Sequence, residues 1–166
     1  MLIKNKFILS FICLVLLSCG NSTYQPEEYI STNLTEEKID LSKEVFKKLK
    51  KEHYIKNFVK DDFNINYINA LIERLDENKL YFLESEIKNF KEESSQYSGK
   101  SFDIDLAYLI INLYFERLVY FSEFQIKLIE KDSFDFTKDE FIDIYHEDNQ
   151  WPASEALLKN IWRNET

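Results

Sequence analysis

Glycine is nearly missing from this chain. Gly20 and Gly99 are the only two among 166 residues, and Pro26 and Pro152 are the only prolines. Tight hairpins need Gly or Asn-Gly at positions of positive φ, and no Asn-Gly pair occurs. The scarcity argues against short strands joined by tight turns and points to helices. With 14 Phe, 10 Tyr and 2 Trp, the chain has the large apolar side chains that a helical core needs.

The apolar periodicity marks where the helices lie. Thr35 offers an N-cap, Glu36 and Glu37 follow in the first turn, and Lys47, Lys48, Lys50 and Lys51 crowd the end. Acids at the start and bases at the end suit the helix dipole. Leu41, Val45, Phe46 and Leu49 form the expected inner stripe, and the helix should finish near Glu52 to Tyr54. Asn64 is a candidate cap for Ile65, Ile68, Leu71, Ile72 and Leu75. A turn at Asp76–Lys79 leads to Leu80, Tyr81, Phe82 and Leu83, apolar without a period, which reads as a buried extended link. Ser85 is the expected cap of a third helix, with Ile87 and Phe90 inward.

Asp103 should cap the longest element, running to about Lys131. Its stretch LAYLIINLYF, Leu106 to Phe115, has Asn112 as its one polar interruption. That is too short for a membrane span of about 20 residues and reads as a central core helix. Thr137 and Glu140 have capping-box spacing for a short helix to about Tyr145, and a last helix starts near Ser154. The fold class expected is all-α, an irregular multi-helix bundle with one long central helix.

The first 18 residues are a different kind of segment. Lys4 and Lys6 precede the apolar run Phe7–Leu17, which fits a secretory signal. The run ends in LLSC, Leu16 to Cys19, and this resembles the lipobox of bacterial lipoproteins, in which the cysteine is acylated. Cys19 is thus the expected lipid attachment site. Cys13 would leave with the signal, so the mature chain would hold one cysteine and no internal disulfide. Gly20 after the cysteine, rather than Asp, favours the outer membrane by resemblance to lipoprotein sorting. The organisation expected is a signal peptide at 1–18, a flexible tether at 19–34 and a helical domain at 35–166, on the periplasmic face of the cell envelope. The net charge of −9 becomes −11 once the two signal lysines are gone. Such a surface repels phosphate backbones and anionic lipid heads, so nucleic acid is not an expected partner and the membrane is reached through the anchor alone.

The sequence offers little chemistry. Gly99-Lys100-Ser101 has the end of a phosphate-binding loop, but Ser94 stands where that pattern wants Gly, and a charged helix precedes it instead of a strand. Asp143, His146 and Glu147 supply one acid-x-x-His motif, where di-iron bundles need two and zinc sites want three or four ligands. His53 reads as a capping or packing residue at a helix end. With Gly99 the only glycine inside the domain, no nucleophile elbow can form. No catalytic residue, metal ligand or cofactor is expected.

Four stretches carry a resemblance. They are His53–Tyr54, LDENKLYFLESEI from Leu75 to Ile87, DFTKDEF from Asp135 to Phe141, and QWPASEALLKNIW from Gln150 to Trp162. In this order they resemble the N-terminal helical domain of bacterial tail-specific proteases, also called carboxy-terminal processing proteases, over nearly all of about 40–166. The resemblance implies a periplasmic system in which a helical region precedes a PDZ domain and a protease domain with a serine nucleophile and a lysine base. The helical region helps frame the cavity for proteins with apolar, unstructured tails, and in some members it meets a lipoprotein adaptor. This sequence carries no glycine-rich carboxylate loop and no small-residue stretch around a serine, so no catalytic role transfers to any residue.

In the family the helix after Trp151–Pro152 leads toward the next domain, so Leu157, Leu158, Ile161 and Trp162 would pack only partly; the equal alternative is that this short helix simply docks on its own core. Three histories fit: a truncated chain, a protease split between two chains, or a module that works alone. The function expected is a non-catalytic helical module that frames substrate or adaptor binding, with protein partners in the PDZ–protease part, an adaptor lipoprotein or unfolded substrate. The alternative is a stand-alone anchored lipoprotein that acts as an interaction scaffold in the envelope.

Overall fold

The computed structural model describes residues 31–54, 62–97, 101–131, 137 and 150–165. Among these, the chain forms five helices and no strand: α1 (Glu36–Glu52), α2 (Phe63–Leu75), α3 (Glu84–Gln96), α4 (Ile104–Lys131) and α5 (Glu155–Asn164). The all-α bundle with one long helix is as the sequence predicts. Cys19, the signal segment and most of the expected Thr137–Tyr145 helix lie outside the described residues.

Three caps are formed as the sequence reads. Thr35 Oγ1 accepts from Lys38 N at 3.4 Å, Asp103 Oδ1 from Leu106 N at 3.3 Å, and Ser154 Oγ from Leu157 N at 3.3 Å. Each satisfies a backbone donor that the first helical turn leaves open. His53 ends α1 as expected: its N–H donates to Leu49 O at 3.2 Å, and its ring stacks on Tyr54 at 4.7 Å.

Two expected caps are displaced. Asp62, not Asn64, precedes α2. Asn64 lies in the first turn, buried, and its amide reaches across the fold: Nδ2 donates to Ser101 O at 3.1 Å and Oδ1 accepts from Asp103 N at 3.0 Å. It fastens the entry of α4 instead of starting α2. Likewise α3 opens after Leu83, before Ser85. Glu86 supplies the capping, its Oε2 accepting from Leu83 N at 2.8 Å, while Oε1 takes Arg117 Nη2 of α4 at 2.9 Å.

The core sits between α2, α3 and the first half of α4. Ile68 and Ile72 of α2 meet Ile87 and Phe90 of α3, and Leu106, Ala107 and Ile110 of α4 close the layer. Phe82 from the link lies fully buried among them, while Leu80, Tyr81 and Leu83 are half-buried, so the buried connection expected over Leu80–Leu83 is met at Phe82 alone. The second half of α4 is covered on one side by α5. Trp162 packs on Tyr120, Phe121 and Phe124 with ring centroids 5.2–5.7 Å away.

The α1 stripe differs from expectation, and the α5 stripe follows one of its two readings. In α1, Leu41 and Val45 are 59% and 42% exposed; the inner face runs through Ile39, Ser42, Phe46 and Leu49. Phe46 sets this rotation, because its ring fits edge-on against Phe63 at 5.7 Å and Phe102 at 5.3 Å. In α5, Leu158 and Trp162 are buried, Ile161 is partly buried and only Leu157 stays open. The last helix docks on its own body, the second of the two readings of its stripe. Its indole also bonds there, Trp162 Nε1 donating to Leu80 O at 2.6 Å.

Candidate functional site

The two stretches that carry the strongest sequence signal, Leu75–Ile87 and Gln150–Trp162, meet in space. The turn after α2 begins with Asp76, whose N–H ends the helix on Ile72 O at 2.9 Å. Its carboxylate is buried and accepts four hydrogen bonds. Leu80 N donates to Oδ1 at 2.6 Å, Tyr81 N and Phe82 N to Oδ2 at 3.2 and 3.0 Å, and Trp151 Nε1 to Oδ2 at 3.1 Å. An acidic side chain that turns back to bond the backbone beyond it is the Asx-turn logic of Asp. Here one carboxylate folds the link and captures the indole that leads into α5.

Three further bonds complete the closure. Glu84 N donates to Pro152 O at 3.0 Å, which ties the start of α3 to the Trp-Pro corner. Trp162 holds Leu80 O from the other side. Lys79 N donates to Asp76 O at 3.0 Å, and Lys79 takes a positive φ of 57° to do so. That left-handed conformation costs a non-glycine residue about 1–2 kcal/mol. The Asp76 bonds hold it in place.

Beside this hub lies an open groove of about 690 Å³. Trp151 and Ala153 form one wall, and Ile87, Lys88, Lys91, Glu92 and Ser95 of α3 form the other. The Lys79 and Lys91 ammonium groups stand over the Trp151 ring, 5.6 and 5.9 Å from its centroid. Lys88 and Glu92 form a loose pair at 3.9 Å along the rim. Ser95 turns its hydroxyl inward to Glu92 O at 2.7 Å. An indole wall with long charged side chains at its edge suits a segment of polypeptide: the ring gives apolar area, and the lysines meet carboxylates.

The remaining titratable groups are shaped by burial. Tyr81, at the hub, is raised above its ordinary value of 10.0 by burial, with Tyr114 and Asp76 adding charge. Tyr67 is raised by burial and then by the charge of Asp103. Burial also raises Asp103, against the opposing bond from Leu106 N.

Of the residues weighed for chemistry, Asp143, His146, Glu147, Gly99 and Lys100 lie outside the described residues. Ser101 accepts from Asn64 through its carbonyl and shares a hydroxyl bond with Tyr97 at 3.0 Å, an architectural use. Among the described residues, no three His, Cys, Asp or Glu side chains gather as a metal ion needs. No described helix is long and apolar enough to cross a membrane. Sequence reasoning missed Asp76, Glu86 and Arg117. The signal for Asp76 is its place at a helix end just before a run of apolar residues with no partner of their own.

The fold and the hub define an all-helical module closed by its own last helix, with a peptide-sized groove at the seam. Residues 45–166 match the family described as the tail specific protease N-terminal domain, and the chain belongs to that family. The matched domain is a non-catalytic part of the protease family. No curated protein matches the chain. All four resembling stretches fall inside the matched span, and so do both halves of the hub.

Proposed function

We propose that this chain is the non-catalytic helical module of a periplasmic tail-specific protease system, framing substrate or adaptor binding for a PDZ–protease part. The observation that carries this reading is the family match over 45–166. The groove between Trp151 and α3 is the surface on which a partner segment would rest. The Leu16–Cys19 lipobox supports attachment of the module to the membrane through acylated Cys19, and Gly20 favours the outer membrane.

Complementation tests it. The chain is added to the PDZ–protease part of a tail-specific protease whose own N-terminal helices have been removed, and in a second arm it is fused to that part. The substrate is an unfolded protein with an apolar tail. Cleavage should rise by about tenfold or more in at least the fused arm, the scale of a lost positioning element, and the chain alone should not cleave. No gain in either arm contradicts the proposal, as does cleavage by the chain alone. Capture of envelope proteins with no effect on proteolysis would point instead to a stand-alone scaffold. Anchoring is read separately: Cys19→Ala should move the protein out of the membrane fraction, and its retention there would contradict the anchor.

A further inference from the structure

Asn112 interrupts the most apolar stretch of the chain, and the family reading gives it no task. Its side chain is the partner of Thr32, 80 residues earlier, in the stretch expected to be tether. Asn112 Oδ1 accepts from Thr32 N at 2.9 Å and from Thr32 Oγ1 at 2.9 Å, and Asn112 Nδ2 donates to Thr32 O at 3.2 Å. The amide thus reads both backbone groups of one residue, as a neighbouring strand would. One turn back on α4, Tyr108 receives the Lys38 ammonium over its ring at 5.2 Å, and the same ammonium donates to Asn33 O at 2.8 Å. The far half of α1 is held by Phe46. Between these points Leu41 and Val45 face out. Thr32 and the first part of α1 precede the family match, which begins at residue 45.

We propose that Asn112 is a dock for the segment leading into the domain, so that α1 is a strap fastened at both ends and a pull on the N-terminus reaches the first half of α4 instead of the first turn of α1. The consequence for reach rests on the proposed anchor. With Cys19 in the bilayer, the distance from Cys19 to Thr32 is at most about 45 Å.

The test is amide exchange on the chain purified in detergent, comparing wild type with Asn112→Leu. The Thr32 amide should exchange about tenfold faster in the variant, the scale of one lost hydrogen bond, while amides of Ile68, Ile72 and Ile110 keep their rates. Thr32→Pro breaks the dock from the other partner and leaves α4 untouched; it should speed exchange through Lys38 and Ile39. Unchanged rates in both variants would overturn the dock. Detergent removes any need for the bilayer, so the dock and the anchor fail independently: exchange reads the first, and partition of Cys19→Ala reads the second.

Discussion

Helix α1 and the four-helix body of α2 to α5 follow the same rules of sequence and are held by different means. By these local signals α1 is the better equipped, with the Thr35 cap, acids first and bases last, whereas α2 has no acid in its first turn and α3 no base in its last. The body adds side chains with no exposure at all, among them Ile68, Phe82, Ile110 and Trp162, and it adds directed bonds inside the packing. Asp76 holds four donors, and Glu86 pairs with Arg117 where both side chains are largely covered. In α1, Phe46 is the one buried residue of 17. Its ion pairs, Asp40–Lys43 and Glu44–Lys48, are exposed and worth little. The contrast separates two jobs that sequence patterns tend to merge. Capping and dipole charges make a segment helical, while buried area and satisfied buried polar groups give the helix a fixed place.

The largest break in this contrast should come from Asp76→Ala. It strips the acceptor from three backbone amides and one indole in the body. At about 1–3 kcal/mol for each buried group left unsatisfied, the loss should reach about 4 kcal/mol or more. Urea denaturation would show it as a lowered midpoint for the whole body, and a loss under about 1 kcal/mol would contradict the hub. Phe46→Ala comes next, with about 2 kcal/mol expected from the lost burial. The effect should be confined to α1: its amides exchange faster, while the midpoint of the body holds. Leu41→Ser, on the exposed face of the same helix, should stay within about 0.5 kcal/mol.

The smallest effect is one of pH. Burial first, and neighbouring charge second, hold Tyr67 and Tyr81 above 10.0. The folded chain keeps these protons while the unfolded chain releases them. Their contribution is therefore complete below pH about 10 and is lost as pH rises through the folded values. Both tyrosines lie in the body and α1 has none, so alkaline loosening should begin in the body. Denaturation midpoints measured from about pH 9 to 11 should fall less steeply in Tyr67→Phe and Tyr81→Phe than in wild type. Equal slopes would contradict this assignment.

Much of the body is legible in the residues themselves. Scarce glycine points to helices, and Thr35, Asp103 and Ser154 carry side-chain oxygens with few other uses at a helix start. The link at Leu80–Leu83 is readable as packed because its four apolar residues have no period to place them on a helix face, but only Phe82 is fully buried. The misplaced caps share one cause. Asn64 and Ser85 satisfy the local pattern, but Asn64 is more valuable bonding the α4 entry, and Glu86 already serves the Leu83 amide. The α1 stripe departs from its pattern for a related reason: several apolar residues could face inward, and the fit of Phe46 between Phe63 and Phe102 decides among them. Asp76 and Trp151 lie 75 residues apart, and nothing local in either stretch announces the other. The groove that Trp151 borders with α3 is hidden from the sequence for the same reason.

The central claim is that the turn after α2 and the Trp-Pro corner close the body as one bonded unit. A double-mutant cycle on Asp76→Asn and Trp151→Phe measures that bond, since one change removes the carboxylate charge and the other the indole N–H, and the cycle subtracts what each change does apart from the pair. The two changes should be non-additive by about 1–2 kcal/mol, within the range for residues that share a buried network. Strict additivity, with each variant losing the same stability whether or not the other is present, would mean that the indole and the carboxylate do not hold one another and would contradict the account.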